Sequence, residues 1–568
     1  MVESNQDIEI GFDTGETPVN ARFAMLILSG LVFCWASHYM INGDIWWHLR
    51  TGQMIPGKGT PTTDWYTFAS NDSKWIDLHW LFQLIVAGVF SLGQTEGLVL
   101  FKAIISTTTV FFLLLPFKRD IPSSLMIVLS WPFISLFASR LLIRPEMLSF
   151  LLLVLTLFVI HKSMEYITWI FALPIIQLVW VNCQGLFVLQ YVVMVSFAVQ
   201  VCWSQFVSDS PVYREQKWIG KFFLAGAFTG IATLLNPYGF EGAFFPLELM
   251  EKMGGDHKAF YLEYAGEIRG LGDLFASNSV DKVLSIPAVL HLFCVAVVAF
   301  AALLLNGTNH SNKIYHICLF ITFAYLGWSM SRNDPLVGLV FAYITLASVA
   351  EDTRISAAFF KSNNQSIRRY VSAGASLLVV FLAYGVISGS YHHDRQSPFE
   401  KKPWYGESVI YPHEAAKFLS RLPSIEEIYA DHELLASLCI FHMRNDQRVF
   451  ADARLEVNTK RSLADMREIR RLFNSDIRAA MSMLETYGGG TKALAFMNHT
   501  FFSPQLPNLL SNLAQSPDWI CVFSDKYAED DGPSRFILGA SVFVPRAVAS
   551  VEGLTPVSVE HLLSKLRH

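Results

Sequence analysis

Long apolar runs, separated by short polar or charged connectors, dominate the first two thirds of the chain. The first, Phe23 to Ile41, is 19 residues, enough to cross a hydrocarbon layer of roughly 30 Å as a helix. Ten further runs follow at about 97–116, 121–138, 147–161, 166–182, 185–203, 218–235, 284–305, 314–330, 334–350 and 370–388. The stretch from His79 to Leu92 is shorter and bracketed by polar residues, which predicts a helix lying along a membrane surface rather than across it. After residue 390 the pattern changes. SIEEIYAD (424–431), QRVFADA (447–453), ALAFM (493–497), WICVFS (519–524) and SVFVP (541–545) read as strands. ELLASLCIFHM and 459–487 read as helices, the latter ended by Gly488–Gly490.

The expected architecture is an all-α polytopic membrane domain of about eleven transmembrane helices followed by a small soluble α/β domain. Residues 1–22 form an N-terminal tail, 23–390 the membrane domain with long loops at 42–96 and 236–283, and 391–568 the soluble domain. Basic residues in the short connectors (Lys118, Arg119, Lys162, Arg214, Lys217, Lys313, Arg354, Lys361, Arg368 and Arg369) place the N-terminus in the cytoplasm. An odd number of spans then puts the 178-residue tail on the opposite, periplasmic side of an inner membrane.

Composition agrees. Hydrophobic residues make up 52% and charged residues 16% of the 568, against about 25% charged in ordinary globular proteins. This excludes a cytosolic multidomain enzyme and a disordered scaffold, and a net charge of −5 gives no reason to expect nucleic acid. The partners expected are the bilayer itself and a lipid-borne substrate. The seven cysteines lack a C-x-x-C pair and lie mostly in apolar segments, which favours packing over metal or redox roles. A Cys439–Cys521 bridge remains open.

In this topology the unusual polar junctions fall on one face: GDIWWHLRTG (43–52), SRLLIRPE (139–146), VNCQG (181–185), LLNPYGF (234–240) and SRNDP (331–335). Ionisable residues at membrane depth carry function by default. Asp44, beside His48 and Arg50, could serve as a general base or bind a divalent cation. Asp64, Asp77 and His79 follow in the same loop. Arg140, Arg144 and Glu146 surround Pro145, whose place in a first helical turn leaves free N–H groups suited to an anion. Arg332 and Asp334 repeat the design, with Asp334 as an N-cap. The same arginines could instead snorkel to lipid head-groups, and Trp46 and Trp47 read as interfacial anchors. NPYG reads as a turn.

Together, GDIWWHLRTGQMIPGKGTPTTDWYTF, WIDLHWL, LIRPEMLSFLLL, LLNPYG, SRNDPL and RVFADARLEV resemble a large bacterial family of predicted membrane glycosyltransferases within the glycosyltransferase-C superfamily. The resemblance implies transfer of a sugar from a polyprenyl-phosphate donor to a glycan, lipid or protein acceptor on the non-cytoplasmic face. It implies that Asp44 is the base or metal-site residue and that Arg140, Arg144 and Arg332 hold the lipid phosphate. Gln184 stands where relatives carry histidine, and the first loop has no D-x-D. Two other readings remain: a transporter or flippase of a lipid-linked glycan using the arginines as a phosphate relay, and a non-catalytic membrane scaffold.

Overall fold

The computed structural model describes residues 21–207 (apart from 39, 41 and 72), 216–253, 270–271, 281–305, 312–352, 365–388, 411–498, 506–525, 539–558 and 560. The N-terminal segment, much of the 236–283 loop, several of the basic connectors and the start of the tail lie outside these. The helices of the first part are α1 (Arg22–Ala36), α2 (Ile45–Lys58), α3 (Trp80–Leu114), α4 (Ser123–Ala138), α5 (Glu146–Glu165), α6 (Leu173–Val181) and α7 (Val188–Val207). They continue with α8 (Gln216–Leu234), α9 (Phe240–Met253), α10 (Asp281–Leu305), α11 (Lys313–Ser329), α12 (Asp334–Glu351) and α13 (Gln365–Ile387). Each of the eleven apolar runs is helical. Five helical stretches are long and apolar enough to cross a membrane: Trp80–Phe117, Glu146–Glu165, Gly185–Ser204, Ser331–Glu351 and Ser366–Ile387. Shorter apolar helices accompany them.

Helix α3 is not straight. Gly93 and Gln94 leave helical geometry, Gln94 with φ of +49°. A Cβ built on Gly97 would stand 3.1 Å from the Val89 carbonyl oxygen, although eight residues of continuous helix advance about 12 Å. The chain therefore turns sharply at this point, and the short helix 80–92 is a separate rod from the long apolar one after it.

The tail holds a five-stranded sheet in the order β2-β1-β3-β5-β4, formed by β1 (Glu427–Ala430), β2 (Arg448–Val449), β3 (Lys492–Met497), β4 (Trp519–Ser524) and β5 (Ala540–Pro545). β1 pairs in parallel with β2 and β3, while β5 runs antiparallel between β3 and β4. The run 447–453 is thus mostly irregular, with only two residues in the sheet. Helices α14 (His413–Ser420) and α15 (Glu433–His442) cover one face. α16 (Lys460–Ser475), α17 (Ile477–Glu485) and α18 (Leu506–Ala514) cover the other. Asp476 separates α16 from α17 and caps α17 by accepting from the Arg478 and Ala479 amides. Gly488, at φ of +65°, follows α17. Cys439 and Cys521 are buried free thiols on opposite faces of the sheet, so no bridge joins them.

The tail does not stand apart. One apolar core unites its α14–α15 face with α2 and the start of α3. Trp46 and Trp47 belong to it, 1% and 5% exposed, with the Trp46 ring 5.0 Å from Phe441 and 5.7 Å from Tyr411. They are covered by protein rather than anchored at a lipid interface, because the tail supplies the apolar surface that lipid would otherwise offer. A second tie is ionic. The Arg454 guanidinium lies 2.7 Å from Asp64 and 2.7 Å from Asp452, all three side chains fully buried, and stacks 4.3 Å from the Trp75 ring. The loop between α2 and α3 also extends the sheet edge, since the Phe68 amide donates to the Val449 carbonyl and the Val449 amide to that of Tyr66.

Candidate active site

The polar junctions gather at one end of the helix bundle. Asn42, before α2, donates from Nδ2 to the Ile143 carbonyl (3.1 Å) and accepts at Oδ1 from Arg144 Nε and from the Asp44 amide (each 3.2 Å). Arg144 Nη2 then reaches Asp44 Oδ2 at 2.9 Å. Seven residues, 139–145, form the turn between α4 and α5, and at its end Glu146 accepts from Arg140 through Oε1 and from Arg332 Nη2 through Oε2 at 3.2 Å. Arg332 comes from the junction before α12, 186 residues away. Asn182 ties in the remaining junctions: its Nδ2 donates to the Leu235 carbonyl, and it accepts from Trp80 Nε1 at Oδ1 and from the Leu81 amide at its own carbonyl.

The structure thus brings Asp44, Arg140, Arg144, Glu146 and Arg332 together, from three separate junctions. The α5 N-terminus is not a bare anion cradle, because the chain supplies its own carboxylate there in Glu146. The arginines are part-buried and engaged with carboxylates, not splayed into lipid: side-chain exposure is 13% for Arg140, 22% for Arg144 and 30% for Arg332. Such charge-assisted contacts orient guanidinium forks closely.

Other predicted residues are placed differently. His48 is 3% exposed, stacked on Trp47 with its Nδ1 3.4 Å from Gln83 Nε2. Burial, then the charges of His79, Arg144 and Arg454, hold its pKa well below the usual value, so it stands as a neutral ring in the wall of the site and not at its surface. Arg50 reaches into the tail, donating to the Met443 carbonyl (3.1 Å) and Asn445 Oδ1 (3.0 Å). Asp64 is committed to the buried Arg454 clasp and also accepts from the Tyr66 and Thr67 amides. Gln184 caps the short turn 185–187 by accepting from the Leu186 amide. Asp334 is the first residue of α12, one place past the cap position held by Asn333, and its side chain makes no cap bond. Its Oδ1 is buried without a hydrogen-bond partner among the described residues. In NPYG, Asn236 closes the turn by donating to the Thr233 and Gly239 carbonyls and accepting from the Tyr238 amide.

Asp77 and His79 form a second corner. Asp77 is fully buried and accepts the His79 amide at 3.0 Å, with His79 Nδ1 3.5 Å from the same oxygen. Burial alone would lower the His79 pKa, but the Asp77 hydrogen bond and the charges of Glu456 and Asp77 outweigh it and raise it. Arg332 opposes that shift, so His79 lies within electrostatic reach of both the arginine cluster and Glu456 of the tail. Among the described residues no three His, Cys, Asp or Glu side chains converge closely enough to hold a metal ion, and Asp44 faces an arginine.

Several residues that matter here give little sequence signal. Asn42 reads as a loop residue, and RVFADARLEV gives no sign that its Asp452 and Arg454 pair with Asp64. Lys102, 1% exposed within α3, donates to the His38 carbonyl at 3.3 Å just past the end of α1. A lone lysine inside an apolar run was the one available signal.

No protein-family model and no curated protein sequence matches this chain. Solved structures do. The apo oligosaccharyltransferase of Archaeoglobus fulgidus superposes with a TM-score of 0.56 at 10% identity, over 86% of this chain and 70% of that one. The chain shares the fold of that oligosaccharyltransferase. The A. fulgidus oligosaccharyltransferase AglB in complex with an inhibitory peptide and a dolichol-phosphate gives the same TM-score and identity over 91% and 74%. Apo ArnT from Cupriavidus metallidurans superposes less closely, with a TM-score of 0.48 at 13% identity over 93% and 98%.

Proposed function

We propose that this protein is an integral membrane glycosyltransferase that moves a sugar from a polyprenyl-phosphate donor to an acceptor hydroxyl on the non-cytoplasmic face. In this reading the eleven apolar helices cross an inner membrane, the N-terminus is cytoplasmic, and the tail covers the site from the periplasm. The observation that carries it is the meeting of Arg140, Arg144 and Arg332 with Asp44 and Glu146 at one end of an apolar bundle of this fold. The AglB neighbour holds a dolichol-phosphate, which supports a lipid-phosphate donor here.

The chemistry follows from where charge develops. The acceptor oxygen attacks the anomeric carbon, the bond from that carbon to the phosphate oxygen breaks, and the polyprenyl phosphate leaves with the electron pair. Preorganised guanidinium groups stabilise that growing negative charge. The donor phosphate would take Arg144 from Asp44, freeing the carboxylate to accept the hydroxyl proton. Binding of donor and arming of the base are then one event. Glu146 would keep the remaining arginines in place while the phosphate is absent.

The test is incubation of purified protein, in lipid nanodiscs, with radiolabelled polyprenyl-phosphate sugars. Label should leave the lipid fraction for an acceptor or for water in the wild type, and stay in it for Asp44→Asn. Transport of intact lipid-linked sugar between leaflets without cleavage would favour the flippase reading instead.

A further inference from the structure

Beyond the donor side, a cavity of about 310 Å³ opens between the first outer loop, α9 and the tail, lined by Lys74, Ile76, Phe245, Glu248, Leu249, Lys252 and Glu456. It adjoins the Asp77–His79 corner, since Ile76 precedes Asp77 and the Glu456 charge acts on His79. His79 also feels Arg332. Through Ile76 the cavity borders the corner that holds Asp77 and His79. Its wall is built: Lys252 Nζ donates to the Leu455 and Asn458 carbonyls at 2.5 and 2.8 Å, joining α9 to the tail. Lys74 meets Glu241 at 2.7 Å, joining the loop to the start of α9.

We propose that this cavity is the acceptor subsite and that it takes a neutral saccharide, a reading that rests on the transferase assignment above. The lining balances two ammonium groups, Lys74 and Lys252, against two carboxylates, Glu248 and Glu456. An anionic ligand would meet both carboxylates and a cationic one both ammonium groups, at a cost that rises as water is excluded. Sugar hydroxyls donate and accept, so they can use all four. The Phe245 ring, with Ile76 and Leu249, offers an apolar wall for the C–H face of a pyranose. The volume lies at the low end for small-molecule sites, about 300–1,000 Å³, which suits one or two rings. A peptide adding as a strand would need an open sheet edge, and the β2 edge is already occupied by Tyr66–Phe68.

The experiment uses the full chain in nanodiscs and an array of neutral, acidic and amino oligosaccharides, with undecaprenyl-phosphate binding measured separately on the same samples. Neutral oligosaccharides should bind. Glu456→Gln and Phe245→Ala should each weaken that binding at least tenfold, and Leu249→Trp, which fills the cavity without touching a charge, should abolish it. All three should keep undecaprenyl-phosphate binding, which shows that they are folded, whereas Arg144→Ala should lose the lipid and keep the saccharide. Lipid binding without saccharide binding, saccharide binding indifferent to all three substitutions, or selection of acidic sugars or peptides would overturn the subsite and leave the transferase reading standing. Loss of lipid binding by the wild type would strike the transferase reading itself.

Discussion

Arg144 Nη2 and Asp44 Oδ2 stand 2.9 Å apart, joining the start of α5 to the start of α2 across 100 residues of chain. Asn42 holds both partners, so the pair is set by a third side chain as well as by charge. In the proposed reaction it is a resting contact that the donor phosphate must open.

That contact separates two roles experimentally. Asp44→Asn keeps the shape but not the proton-accepting oxygen, and should lower kcat by about 10²–10⁴, the usual contribution of a general base, with donor KM nearly unchanged. Arg144→Lys keeps the charge but not the fork, and should raise donor KM, less than Arg144→Ala does. Steady-state kinetics with varied donor reads both. Equal losses of kcat for all three substitutions, with KM fixed, would argue against the assignment.

The buried clasp of Arg454 with Asp64 and Asp452 predicts a stability effect. Arg454→Met leaves two buried carboxylates facing each other, and removing one partner of a buried ion pair costs about 3–5 kcal/mol. The loop 60–78 should then come away from the tail. Limited proteolysis of the full chain should show faster cleavage in that loop, while replacement of a surface arginine such as Arg471, whose side chain is 67% exposed, should have little effect.

Gly52 sets the approach of α2 to α3. A Cβ placed there would lie 2.1 Å from the Gln83 carbonyl oxygen and 2.8 Å from the Ala87 Cβ. Backbone cannot give way as a flexible side chain can, so Gly52→Ala should destabilise the pair by about 1–3 kcal/mol, the range for overpacking. Because α2 begins at Asp44, kcat should fall even though no charged group is altered. Thermal inactivation and turnover, measured together, test this.

The tail carries a pH signature. Burial raises the Asp431 pKa to about 6, above its unfolded value of roughly 3.9. The folded state therefore binds more protons between about pH 4 and 6, and stability from this residue grows as pH falls through that window. Next to it, burial lowers the His432 pKa to about 3, with Arg470 adding to the shift, so its contribution runs the other way and is lost as pH falls from about 6.5 toward 3. Hydrogen exchange of the β1 amides should show the wild type gaining protection relative to Asp431→Asn on going from pH 6.5 to 4.5. Relative to His432→Gln it should lose protection over the same range. A difference independent of pH would contradict the assigned burial.

Much of the bundle was legible in advance, because an apolar run long enough to be a membrane helix announces itself locally. Each of the eleven runs contains a helix, five of them in stretches long and apolar enough to cross a membrane, and the break at Gly93–Gln94 matches the separate short helix expected before it. The sheet strands were recognisable by the same local logic, apart from β2, which is only two residues long and lies between β1 on one side and the Tyr66–Phe68 loop on the other. Site residues were legible only as candidates. Arg140, Arg144 and Arg332 stood out as charges beside apolar ends, but Asp64 and Arg50 look equally chemical in the sequence and are spent on docking the tail. His48, a candidate beside Asp44 in the sequence, is buried.

The sequence by itself determined that this chain is helical and apolar over most of its length, with an α/β tail and polar residues concentrated at a few junctions. These properties depend on neighbours within one or two dozen residues, through period, length and composition. The tertiary structure alone decided which charge meets which: Asp44 with Arg144, Arg332 with Glu146, and Asp64 with Arg454, across 390 residues. Pairing of this kind depends on the directions of side chains brought together by packing, and no local pattern records it.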